Sequence, residues 1–211
     1  MNILQKKCTL AFLMLIASAT QASPNAVAEL RKAMIEKNMV AFDRVLESGE
    51  IGLNEFSADP ELYEIACVST YDPYSAFFDR LLEYGLDPST EDPLVSVYTF
   101  SLLVCASRED SLSAFTALLD AGARSDIFLC HNCSSENPET LVARVLRQPE
   151  FFLEIVNRRE LTAQELLSMS RRIANVYYHK TYNDQPLNEF YADFLRERGI
   201  DVTPKGPNKP E

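Results

Sequence analysis

Along residues 101–124 the apolar positions recur at helical spacing, stop, and recur again. Leu102, Leu103, Cys105 and Ala106 make one apolar face, and the polar run Arg108-Glu109-Asp110-Ser111 interrupts it. Leu112, Phe115, Leu118 and Leu119 make a second face, ended by Gly122 where a left-handed helix end costs least. The pattern predicts two short helices and a stop. Helices this short do not bury their faces alone, so they need neighbours of the same shape.

The chain supplies such neighbours. Val45-Leu46-Glu47-Ser48-Gly49, Leu81-Leu82-Glu83-Tyr84-Gly85, Leu118-Leu119-Asp120-Ala121-Gly122 and Phe194-Leu195-Arg196-Glu197-Arg198-Gly199 share one apolar-apolar-x-x-Gly signature or nearly so. A weaker copy, Ile155-Val156-Asn157-Arg158-Arg159, carries Arg159 where the others carry glycine. The intervals from Gly49 to Gly85, Gly122, Arg159 and Gly199 are 36, 37, 37 and 40 residues in turn. The residues just past the glycine recur too, as in Gly85-Leu86-Asp87-Pro88 and Gly199-Ile200-Asp201-Val202.

This signature resembles the ankyrin repeat, whose second helix closes in a leucine-rich run and then Gly-Ala-Asp-x-Asn. The ankyrin period is about 33 residues, so the connections here are longer. The family's Thr-Pro-Leu-His tetrapeptide is absent, and Ser101-Leu102-Leu103-Val104 holds its place in the best copy. The hydroxyl–imidazole ties of that tetrapeptide are therefore not expected. The resemblance implies an all-α, ankyrin-like solenoid of about five helix-pair repeats over residues 28–202. It further implies a concave face, lined by first helices and connections, on which partners dock.

Taken in order, helices are expected over residues 26–36 and 39–47, then 61–69 and 74–84, then the central pair. Residues 139–147 and 149–157 form the next pair, with one long helix over 161–180 and a last helix over 186–198 after it. Thr162 with Glu165 three positions on reads as a capping box at the start of the long helix. Tyr182-Asn183-Asp184-Gln185 reads as a turn. The repeat domain is taken as residues 23–203, with a Pro/Lys tail over 204–211 expected to be disordered.

Residues 1–22 read as an export leader: Lys6 and Lys7, a short apolar run over 9–17, and small residues at Thr20-Gln21-Ala22. The run is shorter than the roughly 20 apolar residues a bilayer span needs, so no membrane anchor is expected. The leader resembles bacterial ones, which implies a periplasmic protein. Net charge is −11, and it is unevenly spread. Residues 23–140 carry 21 acidic and 7 basic residues, whereas 141–211 carry 10 and 11. Nucleic acid is excluded as a partner by the missing basic footprint, and a basic protein is the expected partner of the acidic half.

Candidate chemistry is sparse. No Ser-His-Asp or Cys-His arrangement and no glycine-rich phosphate loop is readable, so a non-enzymatic role, without cofactor or metal, is expected. His179 reads as a surface residue. Cys67 and Cys105 fall on adjacent first helices one position out of register. Helix axes about 8–10 Å apart exceed ordinary disulfide reach, so both are expected to be buried core residues. Cys130 and Cys133, in Cys130-His131-Asn132-Cys133, are the disulfide candidates; Ser134 after them excludes haem attachment and the ligand count excludes zinc. Phe78 and Phe115 share one repeat position and belong to the core. Tyr71, Tyr98 and Phe128, in connections, are candidate interface anchors, with Asp87, Glu91, Asp92, Asp126 and Glu136 as acidic contacts. The expected function is an exported protein-binding module, monomeric when free, one version being an immunity or inhibitor protein for a periplasmic enzyme. The alternative is a redox or cofactor-handling accessory acting through Cys130 and Cys133.

Overall fold

The computed structural model of the chain describes residues 22–94, 101–127, 129, 139–204 and 206. All but the last residue of the expected leader lies outside them. Ten α-helices carry the described part: α1 (Pro24–Ile35), α2 (Met39–Glu47), α3 (Pro60–Ser69), α4 (Ser75–Glu83), α5 (Leu102–Arg108), α6 (Leu112–Asp120), α7 (Leu141–Val145), α8 (Pro149–Val156), α9 (Ala163–Asn175) and α10 (Leu187–Arg196). A 3-10 helix over Leu53–Ser57 and a hairpin of two short strands, β1 (Thr181–Tyr182) and β2 (Gln185–Pro186), complete the regular structure. The chain is all-α, as its periodicity implies.

Local chemistry explains where these helices start and stop. Pro24, Pro60 and Pro149 occupy first turns, where the missing N–H costs nothing. Asp59 accepts hydrogen bonds from the Glu61 and Leu62 N–H groups, and Thr140 accepts one from Ala143, so the orphan amides of α3 and α7 are satisfied. At the far ends, Gly49, Gly85, Gly122 and Gly199 all have positive φ, between 73° and 98°. After three of them the next amide reaches back five residues: Leu86 to the Leu81 carbonyl, Ala123 to Leu118, and Ile200 to Leu195. These are Schellman closures. At Gly122 a Cβ would meet nothing within 4 Å, so backbone conformation alone demands the glycine there.

Each odd-numbered helix packs on the helix that comes after it, and each pair packs on the next. α1 touches α3, α3 touches α5, and α7 touches α9, while α2, α4, α6 and α8 form a second row. Aromatic rings fill that second row. Phe42 meets Phe77 edge-on at 4.9 Å between centroids, Phe115 meets Phe151 at 4.9 Å, and Phe152 meets Tyr191 at 5.0 Å. Phe78 and Phe115 are fully buried, as their shared repeat position implies. Arginines on the outside stitch neighbouring pairs, with Arg80 Nε 2.7 Å from Asp43 and Arg158 Nη2 2.8 Å from Asp120. Between the third and fourth pairs, Gln148 Nε2 donates to the Ser107 carbonyl and to Asp110 Oδ1.

Three expectations need correction. The helix expected over 161–180 ends at Asn175, because Asn188 on α10 takes over its end: Asn188 Nδ2 donates to the Ile173 and Val176 carbonyls, and Asn188 Oδ1 accepts from the Tyr178 amide. The chain then runs extended into the hairpin, whose Asn183-Asp184 turn has positive φ at both positions. The connection after α2 is partly helical, since Phe56 is buried and pulls residues 53–57 onto α3.

The third correction concerns Cys67 and Cys105. They form a disulfide between α3 and α5, with Cα atoms 5.6 Å apart. Axis separation misleads at this point. Each Cα lies about 2.3 Å off its own axis, so two residues on facing stripes come about 4–5 Å nearer than the axes.

Arg159, the residue that replaces a glycine, also has a structural reason. Its guanidinium pairs with Glu165 at 2.6 Å and donates through Nε to Ser125 Oγ, joining the end of α8 to the start of α9 and to the loop after α6. Glu165 closes the capping box read from sequence, accepting from the Thr162 amide while Thr162 Oγ1 accepts from its own. Its side chain is only 3% exposed. Arg159→Ala strands that carboxylate, and the expected loss is about 3 kcal/mol of stability, measured by urea denaturation; Arg124→Ala, at an exposed ion pair, should cost under about 1 kcal/mol.

Candidate functional site

The disulfide lies beneath a groove. α3 presents Tyr63, Cys67 and Tyr71 at four-residue intervals along one stripe, with Tyr71 just past the helix end, and α5 brings Cys105 across to meet them. The Tyr63 hydroxyl lies 3.4 Å from Cys105 Sγ, and the Tyr71 hydroxyl 3.8 Å from Cys67 Sγ. Val68 and Leu94 extend the apolar floor and wall, while Glu61, Glu64, Asp92 and Arg108 form the rim of a cleft of about 540 Å³. Leu94 stands 73% exposed at the edge of this cleft.

The electrostatics of the groove are acidic. Burial pushes the Tyr63 hydroxyl well above its ordinary pKa, and the negative charges of Asp92 and Glu91 add to that shift. Tyr71 is raised by burial and by Glu109, with Arg108 opposing. Arg31 answers two of the rim carboxylates, at 2.8 Å from Glu64 and 3.9 Å from Glu61. Asp92 stands on the rim, where its Oδ1 accepts from the Leu94 amide.

Of the residues marked in the sequence, Tyr71 and Asp92 line this groove, and Glu91 stands beside it, exposed and bridged to Ser101. Asp87 lies on the loop after α4, where its carboxylate accepts from the Ser89 amide. Asp126 lies on the next loop, held by Arg124 at 3.2 Å, which also keeps its carboxyl below the usual range. Tyr98, Phe128, Cys130, Cys133 and Glu136 lie outside the described residues. His179 is exposed, its ring against the edge of Tyr177. Tyr63, Leu94 and Arg108 are the site residues that sequence reasoning missed. The interval 63–67–71 was the available signal, since it places two phenols and a cysteine on one helix face.

Among the described residues no group of three or more His, Cys, Asp or Glu side chains is placed to hold a metal ion. No described helix is long and apolar enough to cross a membrane. Comparison with models of known families, with curated proteins and with solved structures finds no match to this chain.

The cross-link closes a loop between residues 38 apart. Opening it by Cys67→Ser with Cys105→Ser should cost about 4 kcal/mol from loop entropy, read as a lower urea midpoint that reductant no longer shifts. The phenols give a second expectation. Tyr63, Tyr178 and Tyr191 are all raised by burial, so in the folded chain they keep their protons where the unfolded chain releases them. Their contribution is complete below about pH 10, the unfolded value, and is lost as pH climbs above it. Urea midpoints should hold from about pH 7 to about pH 9.5 and fall beyond, with the phenolate absorbance of these three appearing only on unfolding.

Proposed function

We propose that this chain is an exported, non-enzymatic protein-binding module that docks a basic partner on the groove over the Cys67–Cys105 link. The observation that carries this reading is the groove itself, where a cross-linked apolar floor with two phenols is ringed by carboxylates. Tyr71 and Leu94 are the anchors, being aromatic and apolar side chains left partly or wholly uncovered beside buried neighbours. Asp92, Glu91 and Glu64 supply the complementary field. A disulfide between two first helices suits an oxidising compartment, which supports export and a periplasmic location. The helix pairs, stacked row on row with their stops at matching glycines, favour an ankyrin-like solenoid whose first-helix face carries the groove. On that reading, inhibition of an enzyme by covering its basic surface is the most concrete role.

The test is affinity capture on the immobilised full chain from an extract of the source cells, quantified for each captured protein. The expected result is a protein of net positive charge, released by about 0.3 M salt, and captured at least about tenfold less by Tyr71→Ala or Asp92→Lys. Arg198→Ala, on the opposite end of the fold, should capture it fully. Capture indifferent to salt and to both groove variants would defeat the reading.

A further inference from the structure

A second cleft, distinct from the groove over the disulfide, carries the opposite charge. Arg108 from the end of α5, Arg144 from α7, Arg147 from the turn before α8, Arg172 from α9 and Lys180 from the strand approach line one recess of about 450 Å³. Among the described residues Glu139 is the one carboxylate on its wall, 4.0 Å from Arg144. Asp110, near the rim, is already engaged by Gln148. Among the described residues Arg108, Arg147, Arg172 and Lys180 have no carboxylate within ion-pair distance.

That arrangement is not explained by a shortage of acids. The chain holds 31 acidic residues against 20 basic ones. Elsewhere Arg31, Arg80, Arg124, Arg158, Arg159 and Arg196 each sit within 4 Å of a carboxylate. Four unanswered cations in one concave recess repel one another, and low-dielectric walls strengthen that repulsion. Arg172 adds a further sign, because its Nε–H is buried and, among the described residues, meets no acceptor at good hydrogen-bond geometry, its neighbour being the Tyr178 hydroxyl. A buried donor left unmade is costly, and an acceptor arriving from outside would satisfy it. The Tyr178 hydroxyl is buried beside Arg172, whose side chain, as a hydrogen-bonding neighbour, and the charge of Arg147 offset part of the upward push that burial gives its pKa.

We infer that this recess is a binding site for a small ligand carrying two or more negative charges on phosphate or carboxylate oxygens. Guanidinium forks match both groups in bidentate geometry, and a lysine adds a movable point charge. The volume exceeds what a monatomic ion or a single phosphate fills and suits a small polyanion. The ligand would supply the carboxylate or phosphate counter-charge that these four cations do not find among the described residues. The site shares α5 with the docking groove, Arg108 touching both, but its other cations come from α7, α9 and the connections beside them, and its argument does not use the groove.

Isothermal titration of the full chain at low salt decides the matter, with inorganic pyrophosphate and citrate as probes. The first reports phosphate recognition and the second carboxylate recognition. At least one should bind saturably, one per chain, with Kd below about 1 mM. Arg147→Glu and Lys180→Glu change exposed side chains and leave the core intact, so they test the charge without threatening the fold. Each should weaken binding at least about tenfold, as should Arg172→Met, while Arg44→Glu on the far side should leave it within about twofold. Absence of saturable binding by both probes overturns the inference, and so does binding that survives Arg147→Glu and Lys180→Glu together.

Discussion

A helix of seven to ten residues does not hold itself together in water, because the cost of nucleating it exceeds what so few hydrogen bonds return. Seven of the ten described helices are of this length, and α7 has only five residues. Their persistence rests on lateral contact. Each helix is stabilised by the apolar face of a neighbour, and the buried side chains from Ala26 to Leu195 form one continuous cluster. The ring contacts of the second-helix row show how this works in detail. Phe42, Phe77, Phe115, Phe151, Phe152 and Tyr191 pass packing from pair to pair, so no pair carries a core of its own.

That constraint frees the other row. With the large rings concentrated between even-numbered helices, the odd-numbered ones carry smaller and more polar side chains at their ends and connections. The two clefts lie there. One is apolar and acidic around Tyr63, Tyr71 and Asp92, the other basic around Arg147 and Arg172, and Arg108 at the end of α5 stands between them. The surface of this short stack thus carries two signs, the acidic one facing the proposed basic partner and the basic one the proposed small anion.

Legibility in the sequence divides along the range of the forces involved. Helix stops at Gly85 and Gly122, the capping box of Thr162 and Glu165, and the buried Phe78 and Phe115 are set by neighbours a few residues away, so pattern and spacing reveal them. The end of α9 is set by Asn188, which reaches it only after the hairpin has turned the chain around, and nothing local marks Asn175 as the last residue. The Cys67–Cys105 link escapes any estimate made from helix axes, because facing side chains decide the distance. Half of the docking groove is legible, in Tyr71 and Asp92, because connections rich in aromatic and acidic residues stand out. The basic recess is hidden, since its cations come from separate segments and disappear into a near-neutral average over residues 141–211.

The cross-link also changes how the chain answers force. Tension applied at the two termini would peel end pairs away one after another, each release lengthening the tether. The segment between Cys67 and Cys105, a separation of 38 residues, is shielded from that extension, and at roughly 3.5 Å per residue it withholds about 130 Å of slack. α4, which lies inside that loop, is therefore spared the pull, and α3 and α5 stay tied at their sulfurs while the flanks unravel, for as long as those sulfurs stay oxidised.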